Sequence, residues 1–93
     1  MASVVMDQLM ADIKEAMKAQ NSEAVLALRT LHAAIKDQTV NAGVEVTDAA
    51  VAAVVAKAIK QRADAIEQFS AAGRQDLVDK EQKQVDLYRK YQP

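Results

Sequence analysis

The chain of 93 residues contains two glycines, Gly43 and Gly73, and one proline, the terminal Pro93. Hairpins and tight β-turns draw on Gly, Asn and Pro at fixed positions, so a multi-stranded sheet has almost nothing to turn with here. Long helices need few interruptions, and two glycines about thirty residues apart are suited to ending them. The chain also lacks cysteine. That excludes disulfides, thiolate metal sites and a cysteine nucleophile together, and it fits a reducing compartment.

Four segments carry the helical period, with apolar residues recurring every three to four positions. The first spans about residues 4 to 20, with Met6, Leu9, Met10, Ile13 and Met17 on one face. Asn21-Ser22-Glu23 then offers side-chain oxygens to cap the next helix. The second, about 22 to 42, aligns Val25, Leu28, Leu31, His32, Ile35 and Thr39 and stops at Gly43, where a left-handed residue can close the helix. Thr47 and Asp48 supply an N-cap and a favourable charge for the third, about 48 to 72, whose stripe reads Val51, Val55, Ala58, Ile59, Arg62, Ile66, Phe69. After Gly73 a fourth, about 75 to 91, presents Leu77, Val78, Glu81, Val85, Tyr88 and Tyr91. Val51 to Val55 is the one β-branched stretch, but alanines interleave it and the longer period is helical. Short connections favour antiparallel neighbours, so the expected fold is an all-α, four-helix antiparallel bundle forming a single domain over residues 1–93.

A domain this short buries only about 60% of the surface that its unfolded chain exposes. Aromatics are 3% of residues against 51% hydrophobic overall, so the thin core must be built from Ala, Val, Leu, Ile and Met. With 12 basic and 13 acidic residues the net charge is -1, and no global field draws the chain toward nucleic acid or a membrane. No apolar run approaches the roughly 20 residues that cross a bilayer, and Met1-Ala2-Ser3-Val4-Val5-Met6-Asp7 lacks the basic and apolar regions of a signal peptide. A cytosolic protein without membrane contact is expected.

Two charges interrupt apolar stripes. Arg62 follows Ile59 and precedes Ile66 and Phe69, and Glu81 lies between Leu77 and Val85. If the third and fourth helices fold back about Gly73, the two can meet as a part-buried pair that fixes register more than it adds stability. The alternative is that Arg62 lays its stem over the core and lifts its head to water.

His32, the one histidine, has no second histidine or carboxylate three or four residues away, so a packed boundary role is expected and no metal site. Ser3 is terminal, Ser22 reads as a cap and Ser70 lies near a helix end with no neighbouring base, and there is no phosphate-cradling glycine loop. No catalytic residue and no cofactor is expected of this chain. There remains a basic face of Arg29, Lys36, Lys57 and Lys60, with Arg74 at the turn. It reads either as a nucleic-acid-binding surface or as an ordinary solvated face, since Lys60 and Asp64 are spaced to pair.

Asp12-Ile13-Lys14-Glu15-Ala16-Met17-Lys18, Leu28-Arg29-Thr30-Leu31 and Ala34-Ile35-Lys36 resemble the GatB/YqeY family, in particular the small YqeY-like proteins. The likeness continues through Gly43, Thr47-Asp48, Ile59-Lys60-Gln61-Arg62, Ile66-Glu67-Gln68-Phe69, Ala72-Gly73-Arg74-Gln75-Asp76-Leu77 and Lys80-Glu81. The family-motif positions are Arg29, Lys36, Lys60, Arg62, Glu67, Arg74 and Glu81. The resemblance implies the N-terminal helical half of the YqeY-like fold, similar to the tail of the B subunit of glutamine-dependent aminoacyl-tRNA amidotransferases. It implies association with tRNA or with a tRNA-modifying or amidating enzyme, and a link to carbon-nitrogen ligases using glutamine as amido donor, whose active sites lie on other domains. Against the family pattern Gln84 stands for a usual acid and Gln92 for a leucine, and the resemblance leads one to expect only the first of the family's two helical domains in residues 1–93.

Two readings follow. In one, the chain is a non-catalytic tRNA-associated module working through its basic face. In the other, it is a protein-interaction bundle that docks on an enzyme or on itself, with apolar residues near Tyr88 and Tyr91 exposed.

Overall fold

The computed structural model describes residues 3–93. Met1 and Ala2, which open the stretch read for a signal peptide, lie outside the described residues. Among the described residues there are four α-helices and no strand: α1 (Val4–Lys18), α2 (Ser22–Gln38), α3 (Asp48–Ala71) and α4 (Gln75–Arg89), with one 3-10 turn at Val40–Ala42. The all-helical, four-helix expectation holds. The helices pair as two hairpins, α1 with α2 and α3 with α4, which pack on each other within 45 × 28 × 22 Å.

Short polar side chains start three of the helices by accepting orphan backbone N–H groups. Ser3 Oγ accepts from Met6 N at 3.1 Å, Asn21 Oδ1 from Ala24 N at 3.2 Å, and Thr47 Oγ1 from Ala50 N at 3.1 Å. Ser3 also donates its hydroxyl to the Asp48 carboxylate, which accepts from Val5 N as well. The first turn of α1 is thereby tied to that of α3, and these bonds hold the Asp48 carboxyl below its ordinary value.

All three connections close with the same device, a left-handed residue followed by an N–H that reaches back five residues. Asn21 N donates to Ala16 O at 3.0 Å, Val44 N to Thr39 O at 2.9 Å and Arg74 N to Phe69 O at 2.9 Å. The left-handed residues are Gln20 (φ 56°), Gly43 (φ 73°) and Gly73 (φ 72°). Helix α2 ends at Gln38, four residues short of the expected boundary. The cause is Thr39, whose hydroxyl takes the Ile35 carbonyl at 2.6 Å, the acceptor that its own N–H would use if the helix continued.

The core joins Leu9 of α1, Leu28, Leu31 and Ile35 of α2, Val51 and Val55 of α3, and Tyr88. The burial expected along α1 is corrected. Met10 and Met17 keep 46% and 50% of their surface exposed, because Leu9 and Ile13 take the covered side of α1 and the two methionines fall at its edge. Tyr88 and Tyr91 retain 0% and 4%, as their place on the fourth stripe implies, and do not lie at the exposed end that the protein-interaction reading assumed. The Tyr88 hydroxyl donates to Ala27 O on α2 at 2.6 Å, and that of Tyr91 to Asp12 Oδ2 on α1 at 2.6 Å. At 24 residues, α3 outreaches its neighbours. Its C-terminal half has only α4 against it, so Phe69, expected in the core, is half-buried.

Asp12 is held from three sides, by Tyr91, by Lys90 Nζ at 2.9 Å and by Gln8 Nε2 at 2.8 Å. Burial pushes its carboxyl up, but these bonds outweigh it and leave the group below its ordinary value of 3.8. Burial and the bond to Asp12 push the Tyr91 phenol well above its ordinary 10.0.

The unfolded chain releases the Tyr91 proton near pH 10 while the folded chain retains it. The stability tied to that proton is therefore full below pH 10 and lost as pH rises beyond it. Tyr91→Phe is expected to cost about 1–2 kcal/mol at neutral pH, with the difference from the parent shrinking above about pH 10. Urea melts across that range measure it. Gln20→Gly is expected to raise stability by about 0.5–1 kcal/mol by relieving the positive φ. Gly73→Ala, where an added methyl meets nothing within 4 Å, is expected to lower it by about 1 kcal/mol through φ alone; denaturation midpoints decide both.

Candidate functional site

Folding α3 back on α4 sets opposite one another residues equally distant from Gly73. Arg62 and Gln84 each lie eleven residues from that glycine, and Arg62 Nε donates to Gln84 Oε1 at 2.7 Å. Arg62 Nη1 also donates to Ala58 O at 3.1 Å, and the guanidinium carbon stands 4.7 Å from the centre of the Tyr88 ring. The expected Arg62–Glu81 ion pair is therefore replaced by Arg62–Gln84. Glu81 lies only eight residues beyond Gly73, one helical turn nearer the tip, and the guanidinium is already committed. Its stem does run along the core, as the alternative had it, but its head is bonded.

Three of the five expected nucleic-acid-binding cations have local partners. Arg29 Nη2 rests 3.6 Å from Met17 Sδ, Lys60 Nζ lies 3.4 Å from Asp64, and Arg74 forks onto Asp76 at 3.2 Å through both Nε and Nη2. The fork holds the Asp76 carboxyl below its ordinary value. Lys36 and Lys57 are exposed and, among the described residues, have no ion pair. Arg29 and Lys36 are two turns apart on one side of α2, and Lys57 and Lys60 one turn apart on the exposed side of α3. Arg74 stands beyond the far end of α3, roughly 20 Å farther along than Lys57, so it does not join them.

His32 is half-buried on α2, and among the described residues no group of three His, Cys, Asp or Glu side chains could hold a metal ion. Every described buried side-chain N or O atom has a hydrogen-bond partner. The interior is thus a closed polar account, and what the arrangement offers chemically is surface: cations on α2 and α3, and a clamp formed by Arg62, Gln84 and Tyr88.

Gln84 and Tyr88 are the residues that sequence reasoning missed, and counting outward from Gly73 would have found the first. Gln84→Glu is expected to add about 1 kcal/mol of stability at neutral pH by charging the bond from Arg62, and to add nothing when Arg62 is replaced by Met. A double-mutant cycle in urea measures that coupling.

A family model for YqeY-like proteins matches residues 6–93. The chain is 38% identical over 89 residues to "Altered inheritance of mitochondria protein 41, mitochondrial" of Pyrenophora tritici-repentis, covering 96% of this chain and 49% of that protein. Proteins of the same name from Clavispora lusitaniae (30% identity; 94% of this chain, 51% of the relative) and Saccharomyces cerevisiae (36%; 89% and 45%) are also similar. The chain thus spans about half the length of the curated relatives it matches. Their names as mitochondrial proteins overturn the cytosolic expectation. That expectation rested on the lack of secretory features, which has no bearing on entry into an organelle. With a family model that runs almost end to end and relatives at this level of identity, the chain belongs to the YqeY-like protein family.

Proposed function

We propose that this YqeY-like chain is a non-catalytic helical module that associates with tRNA, its likeness to the tail of the amidotransferase B subunit giving the substrate class. The observation that carries the reading is that two of the five expected cations, Lys36 on α2 and Lys57 on α3, are exposed with no carboxylate partner among the described residues, with Arg29 two turns before Lys36. A lysine already neutralised by a neighbouring carboxylate gains little from a phosphate, whereas an unpaired one releases a counterion on binding. Lys60 and Arg74 contribute less on this reading, because each must first leave an aspartate. Any amide-forming chemistry linked to the family belongs to a partner enzyme.

Labelled tRNA titrated against the full chain is expected to bind with an affinity that falls steeply with salt. Lys36→Glu with Lys57→Glu should weaken binding and lower the slope of log affinity against log salt by about 1 per lost phosphate contact. Lys60→Glu should matter less. Affinity no better than for an unrelated RNA of equal length would sink the reading.

A further inference from the structure

We propose that the groove between the N-terminal half of α2 and the outer side of α4 docks an amphipathic helix of a partner protein that carries Lys or Arg along one edge. The groove encloses about 650 Å³, and Ala24, Ala27 and Leu87 give it an apolar lining. Leu26 also lines a second depression of about 480 Å³ beside Met17 and Val25. It therefore stands as a ridge between two hollows with 68% of its surface exposed. Large side chains of a helix, recurring at i, i+3 or i+4 and i+7, seat on either side of such a ridge.

Charge selects the partner. Glu23, Asp76, Asp79 and Asp86 line the groove against two lysines, Lys80 and Lys83. Lys83 already faces Glu23 across the mouth at 3.9 Å, and Arg74 neutralises Asp76. Asp79 and Asp86 accept hydrogen bonds from Gln75 at 2.8 Å and Gln82 at 3.0 Å. An amide satisfies an oxygen without supplying a countercharge, so both carboxylates stand, among the described residues, outside any ion pair; Lys80, likewise unpaired, offsets one of them and leaves the groove acidic on balance. The two carboxylates lie seven residues apart, two turns of α4, a spacing that cations seven apart on a second helix match. That acidic balance disfavours phosphate on this side. It also disfavours a second copy of the chain, since a twofold contact sets a patch against itself.

The test uses the full chain and a synthetic amphipathic helix made of Leu and Lys, with a Glu-for-Lys counterpart as control. Amide shifts in nitrogen-15 spectra are expected to move for Asn21–Arg29 and Asp76–Leu87, and the Glu peptide to leave them unmoved. Leu26→Lys, at an exposed position that folding does not use, and Asp79→Lys with Asp86→Lys should each weaken binding by about tenfold, while Lys57→Glu leaves it unchanged; circular dichroism checks that each variant stays helical. The proposal is overturned if the shifts scatter over the surface, if both peptides bind alike, or if Leu26→Lys binds as the parent does. Movement of the same amides on adding tRNA alone, or on concentrating the protein alone, would equally overturn it and give the face to RNA or to a second copy.

Discussion

Tyr88 is the largest fully buried side chain of the described residues, and it is the point at which the second helical hairpin closes on the first. Its ring lies under the Arg62 guanidinium of α3, and its hydroxyl reaches the Ala27 carbonyl of α2. A phenol placed in an apolar interior must keep a hydrogen-bond partner or bear the full cost of desolvation. Ala27 supplies one because its small side chain lets α4 come close enough for a 2.6 Å bond. Burial raises the Tyr88 phenol above its ordinary value and Arg62 offsets only part of that, so the group stays a donor over the whole ordinary pH range.

Once Tyr88 is seated, much else about α4 is determined. Tyr91, three residues on, lies on the same side and meets Asp12 of α1. Gln84, four residues back, meets Arg62, and the height of that contact is set by equal chain lengths on either side of Gly73. Glu81 falls a turn too near the tip to share it. The outer side of α4, carrying Asp79 and Asp86, is left turned toward the start of α2, and the groove exists because the alanines of α2 do not fill the space between the two helices.

The sequence was legible where short-range chemistry decides. The scarcity of glycine and proline gave the fold class, Asn21 and Thr47 gave two helix starts, and Gly43 and Gly73 two of the three turns. It was not legible where a choice among similar side chains depends on what covers them. Met10 and Leu9 are neighbours of comparable hydrophobicity, yet only Leu9 is buried, because the helices that cover α1 approach from one side. The first turn hid itself by using Gln20 for a conformation that glycine usually supplies. Thr39 read as one more stripe position, although its hydroxyl is what stops α2. Arg62 was recognised as facing inward, but its partner required the register of α3 on α4 and the commitment of its remaining donors, neither of which periodicity contains.

A net charge of -1 describes the surface only coarsely, because, among the described residues, several exposed charges stand outside any ion pair. Lys36 and Lys57, without ion pairs, stand on α2 and α3, whereas α4 carries Asp79 and Asp86 with the unpaired Lys80 between them. Over distances longer than the Debye length of about 8 Å at physiological salt exposed charges are largely screened from one another, so what matters at any one place is the local balance and not the total. A core held rigid by Tyr88 and Tyr91 keeps those groups in fixed relation. With its described buried polar atoms satisfied, the bundle is a frame whose surface groups, Lys36 and Lys57 on one pair of helices and the α2–α4 groove on another, are where the two readings proposed above make their contacts.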